Sequence, residues 1–143
     1  MLRVRRAPTL AADEAVSQTV RRMPDWDTVC RLAAELPGTL LDSDNTDNPA
    51  WRVNGKVLIR RNPHLDEVTP DEVVAIRTSL PEREALIAED PLTYFLTPHW
   101  SKPQNPSILV RLATTDEAQL RELITEAWRT RAKRTQLAEW SRR

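Results

Sequence analysis

The dipeptide Asn54-Gly55, set between AWRV and KVLIR, restricts the fold more than any other feature of the chain. A type I′ turn needs two residues at positive φ, which Asn-Gly supplies at low cost, and such a turn matches the twist of two antiparallel strands. Residues 50–60 therefore read as a β-hairpin. Pairing across a two-residue loop sets Val53 against Lys56, Arg52 against Val57, Trp51 against Leu58 and Ala50 against Ile59. One face then carries Trp51, Val53, Lys56 and Leu58, with Arg60 beyond them, and the other carries Ala50, Arg52, Val57 and Ile59. Apolar side chains on both faces predict that each is partly covered, with the bases at tips and margins where their stems lie along apolar surface.

Helices and further strands follow on either side. Asp25 is placed to cap a helix in which Trp26, Val29, Cys30, Ala33 and Leu36 recur at helical spacing, and Pro37-Gly38 ends it. LLDSDNTDNP is turn-rich, and PHLDEVTPDE is a second loop. VVAIRT reads as a strand. Ser79-x-x-Glu82 forms a capping box that opens the helix PEREALIAED, which Pro91 closes. TYFLT is a strand, TPHWSKPQNPS a loop, and SILVRLA a strand with Ile108, Val110 and Leu112 on one face. Thr114 and Glu117 signal the start of a last helix, whose Leu120, Leu123, Ile124, Ala127 and Trp128 make one apolar stripe, with Leu137 and Trp140 extending the packing. The order α-β-β-β-α-β-β-α predicts an α+β domain: an antiparallel sheet with helices packed on it.

A chain of 143 residues with 40% apolar composition supports one core. Residues 1–22 read as a flexible basic arm, 23–132 as a single domain and 133–143 as a basic helical extension or tail. The lone Cys30 excludes an intrachain disulfide and suits a reducing compartment. No apolar run has the length of a signal peptide core or a membrane span, so a cytoplasmic protein without a membrane partner is expected. Net charge is zero, but it is unevenly spread. Residues 1–22 sum to +3, 23–120 to −7 and 121–143 to +4.

The segments LPG at 36–38, NPAWRVNGK at 48–56, EREALIAEDPLTYFLTPHW at 82–100 and SILVRLATTDEAQLRELITEAWRTRA at 107–132 occur in an order that resembles the MmcQ/YjbR family. These are small bacterial α+β proteins with a "double wing" arrangement, grouped in fold with the frataxin-like proteins. The sequence departs from that pattern at Thr46-Asp47, where an aromatic-glycine pair is expected, and at Ser101-Lys102-Pro103, where a glycine is expected. The resemblance implies a DNA-binding protein.

On that reading Arg52, Lys56, Arg60 and Arg61 of the hairpin, with Arg129, Arg131, Lys133 and Arg134 near the C-terminus, contact the phosphates of double-stranded DNA without reading sequence. The plainer reading of the same residues is solvated strand ends, together with bases that suit the C-terminal dipole of a helix. The alternative function is a protein-interaction or small-ligand-binding module built on His99 and Trp100, with Trp51 lining the pocket. No catalytic motif is found, so the expectation is a non-enzymatic protein with no cofactor. No metal site is expected either: as a calcium loop DSDNTDN has Asp47 where glycine is required and Val53 where a bidentate Glu is required. An Asx-rich turn accounts for it better.

Overall fold

The structure is a computed structural model that describes residues 23–42, 49–61 and 72–143. The basic arm at 1–22, residues 43–48 of the Asx-rich turn and His64 in the loop after the hairpin lie outside the described residues. The element order is α1 (Trp26–Ala34), β1 (Thr39–Asp42), β2 (Ala50–Val53), β3 (Lys56–Arg61), β4 (Val73–Arg77), α2 (Leu80–Glu89), β5 (Tyr94–Phe95), β6 (Ser107–Arg111), α3 (Glu117–Arg129) and α4 (Arg134–Ser141), with 3-10 turns at Pro98–Trp100 and Leu112–Thr114. All strand pairs are antiparallel, and the sheet order is β1-β2-β3-β4-β6-β5. The α+β class expected from the sequence is what the chain adopts.

Each main helix forms where its apolar residues recur. In α1, Trp26, Val29, Leu32 and Ala33 are buried, and Asp25 caps the helix by accepting from the Thr28 amide at 2.9 Å. In α3 the stripe Leu120, Leu123, Ile124, Ala127 and Trp128 is buried, lying on β3 and β4 and against α1. The sheet answers with a period of two. Val74 and Ile76, Ile108 and Val110, and Tyr94 join the helices in the main core, while Val73, Ala75 and Leu109 point the other way and are covered by Phe95 and Trp100.

Three details differ from the sequence reading, and a fourth concerns the C-terminal segment that it left as helical extension or tail. The first is the hairpin register: the Asn-Gly turn is present, with φ +51° at Asn54 and +81° at Gly55, but Trp51 pairs with Ile59 and Ala50 with Arg60. A bulge at Leu58 absorbs one residue, so the adjacent Leu58 and Ile59 both enter the core, and neither is exposed. Second, the start of the turn-rich segment, Leu40, Leu41 and Asp42, joins Thr39 in an edge strand paired with β2. Third, α3 is capped by Asp116, which accepts from the Gln119 amide at 2.8 Å, whereas Thr114 belongs to the 3-10 turn before it. A carboxylate is the stronger acceptor at a helix N-terminus, where the dipole favours negative charge. Fourth, the C-terminal extension is a separate helix, α4, whose Trp140 packs against Trp128 with ring centroids 5.8 Å apart.

Candidate functional site

The bulge redistributes the hairpin bases. Beyond it Arg60 pairs with Ala75 and belongs with Ala50 and Arg52 on the sheet face away from the helices, whereas Arg61 belongs with Trp51 and Val74. Arg61 lies over the Trp26 ring at 5.5 Å and its Nε donates to Glu72 at 2.6 Å. Arg52 donates through Nε to Asp42 at 3.1 Å and through a terminal nitrogen to the Gly55 carbonyl at 3.2 Å. Among the described residues Arg52 and Arg61 are thus each paired with a carboxylate. Lys56 is exposed at the tip.

That tip is docked onto the C-terminal region. The Asn54 amide nitrogen donates to the Arg131 carbonyl at 2.8 Å and to Gln136 Oε1 at 3.0 Å, and Gln136 Oε1 also accepts from the Lys133 amide at 2.8 Å. The turn that shapes the hairpin therefore also holds the junction between α3 and α4, and brings Lys56 to the same end of the molecule as Arg131, Lys133 and Arg134. Arg129 is committed elsewhere: it stacks over Trp140 at 4.9 Å and lies 3.7 Å from Glu126.

At this end stands Arg77, the last residue of β4, which sequence reasoning did not single out. Its Nε donates to the Val57 carbonyl at 3.3 Å. One terminal nitrogen, Nη1, donates to Ser107 Oγ at 3.2 Å and also to the Asn105 carbonyl. Every one of these acceptors is neutral. Burial pushes the Arg77 pKa below its ordinary value, and the positive charges of Arg131 and Arg60 push it further in the same direction. Arg60, from β3, and Arg131, from the α3–α4 junction, therefore each lie close enough to Arg77 to repel it. A base ending an apolar strand reads in sequence as a solvated margin, and only the tertiary arrangement reveals its neighbours.

Two concavities meet at Arg77. The larger, about 970 Å³, runs between the start of α2 and one side of α3, with Arg129 and Arg131 on its wall and Glu82, Glu122 and Glu126 among its acids. The smaller, about 230 Å³, is walled by Arg77, His99, Trp100 and Lys102. His99 and Trp100, the alternative pocket of the sequence reading, do come together there, edge to face with centroids 5.4 Å apart. Trp51 does not join them: it is buried on the helix-covered face, where its indole nitrogen donates to Cys30 Sγ at 3.4 Å. That placement follows from the pairing of Trp51 with Ile59. Among the described residues no group of three or more His, Cys, Asp or Glu is gathered in a way that could hold a metal ion. No helix of the described residues is long and apolar enough to cross a membrane.

A six-stranded antiparallel sheet with α1 and α3 on one face defines a small α+β class, and comparison with known proteins gives that class a family. The YjbR family matches residues 34–130, and the chain belongs to it. Uncharacterised proteins of Mycobacterium bovis and Mycobacterium tuberculosis are each 36% identical over 118 residues, an alignment that covers 74% of this chain and 87% of each relative. The crystal structure of a Deinococcus radiodurans protein with a DUF419 domain superposes with a TM-score of 0.60, covering 82% of this chain and 88% of that one. At 15% identity that likeness is one of fold alone.

Proposed function

We propose that the protein binds double-stranded DNA through phosphate contacts at the cationic end of the sheet. The observation that carries this reading is Arg77, which is half-buried, oriented by neutral acceptors and crowded by Arg60 and Arg131. Gathering like charges raises the free energy of the free protein, and a polyanion laid across them relieves it. The exposed Lys56, Lys133 and Arg134 extend the same surface. Arg52 and Arg61 contribute less, because Asp42 and Glu72 already neutralise them. The binding surface is therefore the hairpin tip, the end of β4 and the α3–α4 junction rather than the strands of the hairpin.

A fluorescence anisotropy titration with random-sequence duplex DNA at several salt concentrations tests this. Affinity should fall as salt rises, with a log–log slope of about −0.9 for each phosphate neutralised. Arg131→Ala should weaken binding to all sequences alike and reduce the magnitude of that slope by about 1. Absence of binding at low salt overturns the proposal, as does binding insensitive to salt.

A further inference from the structure

The small hollow beside Arg77 is built differently from the groove next to it. Among the described residues its charged wall members are the cations Arg77 and Lys102, and no carboxylate lines it. Arg77 is already aimed: Nε and Nη1 are spent on Val57, Asn105 and Ser107, and Nη2 has no protein partner among the described residues. A guanidinium fixed by neutral acceptors with one nitrogen left over is prepared for an anion, and less ordering entropy is lost when the anion arrives.

The loop that forms the other wall is equally ordered. Arg83 of α2 is only 6% exposed, and its guanidinium donates to the carbonyls of Trp100 at 3.3 Å, Ser101 at 3.3 Å, Lys102 at 3.2 Å and Ser107 at 3.4 Å. A buried cation satisfied by consecutive loop carbonyls holds the loop in one shape and adds positive potential behind the hollow. Pro98, Pro103 and Pro106 restrict the same loop further, and Asn105 takes a left-handed φ of +48° to present its carbonyl to Arg77.

We propose that this hollow binds a phosphate monoester attached to a planar group, as in a mononucleotide, with Arg77 and Lys102 on the phosphate and the His99–Trp100 pair against the ring. Charge favours the monoester, which carries about −1.5 to −2 near neutral pH, over the singly charged diester inside a strand. The ligand has two sources, a free mononucleotide or the phosphorylated end of a nucleic acid strand. The site shares Arg77 with the duplex-binding surface but does not depend on duplex binding.

The test uses the full chain and two probes. Adenosine monophosphate is titrated by calorimetry beside inorganic phosphate and adenosine, and one short labelled oligonucleotide is titrated by anisotropy with and without a terminal phosphate. We expect adenosine monophosphate to bind, adenosine not to, and Lys102→Glu to weaken binding by about tenfold or more, as loss of a charge-assisted contact requires. A preference for the phosphorylated oligonucleotide that Lys102→Glu abolishes assigns the strand end as a ligand. Binding of the mononucleotide without such a preference assigns the free nucleotide. The proposal is overturned if neither probe binds through its phosphate, or if Lys102→Glu and Trp100→Ala both leave binding unchanged. Random-duplex binding that persists in Lys102→Glu with its steep salt slope separates that failure from failure of the duplex reading.

Discussion

At the scale of single residues, two buried donors hold parts of the chain that are distant in sequence. Trp128 is fully buried and its indole nitrogen donates to the Pro37 carbonyl at 2.8 Å, which ties α3 to the end of α1. Trp128→Phe keeps most of the apolar volume but leaves that carbonyl unpaired, so urea unfolding should show a loss of about 1–3 kcal/mol. Arg83→Lys keeps the charge but not the planar fork that serves four carbonyls from two nitrogens, so amide exchange in the 98–103 loop should rise while α1 and α3 stay protected. Asp25 gives a pH-dependent example. The Thr28 amide holds its pKa below the ordinary value of 3.8, so its ionised form stabilises the fold above that pH, and the contribution fades as pH falls through the lowered folded value. Asp25→Ala should cost about 1 kcal/mol at neutral pH, by thermal or urea denaturation, and progressively less in acid.

At the scale of elements, helix stripes and turn chemistry were legible in sequence because they are local. The caps at Asp25 and Ser79 and the stripes of α1 and α3 follow directly from residue type and spacing. What local pattern does not carry is how many apolar residues the core recruits from a strand. Val57-Leu58-Ile59 alternates as well in one register as in another, and the choice is made by helices that need both Leu58 and Ile59. That choice sends Arg60 to one face and Arg61 to the other. Arg77 was illegible for a related reason: its neighbours Arg60 and Arg131 come from other elements. Deleting Leu58 removes the extra residue and takes a fully buried side chain out of the core. Thermal unfolding followed by circular dichroism should then report lower stability, while the pairing of Arg60 with Ala50 and Ala75 is kept.

At the scale of the molecule, the uneven charge seen in sequence becomes an uneven surface. The acidic middle is partly neutralised within the fold, through Arg121–Glu35 at 2.5 Å and Arg31–Glu117 at 2.7 Å between α1 and α3. Both pairs are about half exposed and add little stability. The basic C-terminal region folds back instead of trailing away, since Gln136 meets Asn54 and Trp140 covers Trp128. A chain ending at Arg131 loses both contacts along with Lys133 and Arg134. Its melting temperature should drop by about 5 °C or more, and its DNA affinity should fall with it.

The contacts of Asn54 with Arg131 and Gln136 also order events in time. Their partners are 77 and 82 residues apart in sequence, so they close among the largest loops in the domain. On the ribosome the hairpin emerges long before residue 136 is made, and until then the turn has nothing to grip and Arg131 has no fixed place beside Arg77. A nascent chain therefore passes most of its synthesis beside ribosomal RNA with its cationic surface unassembled.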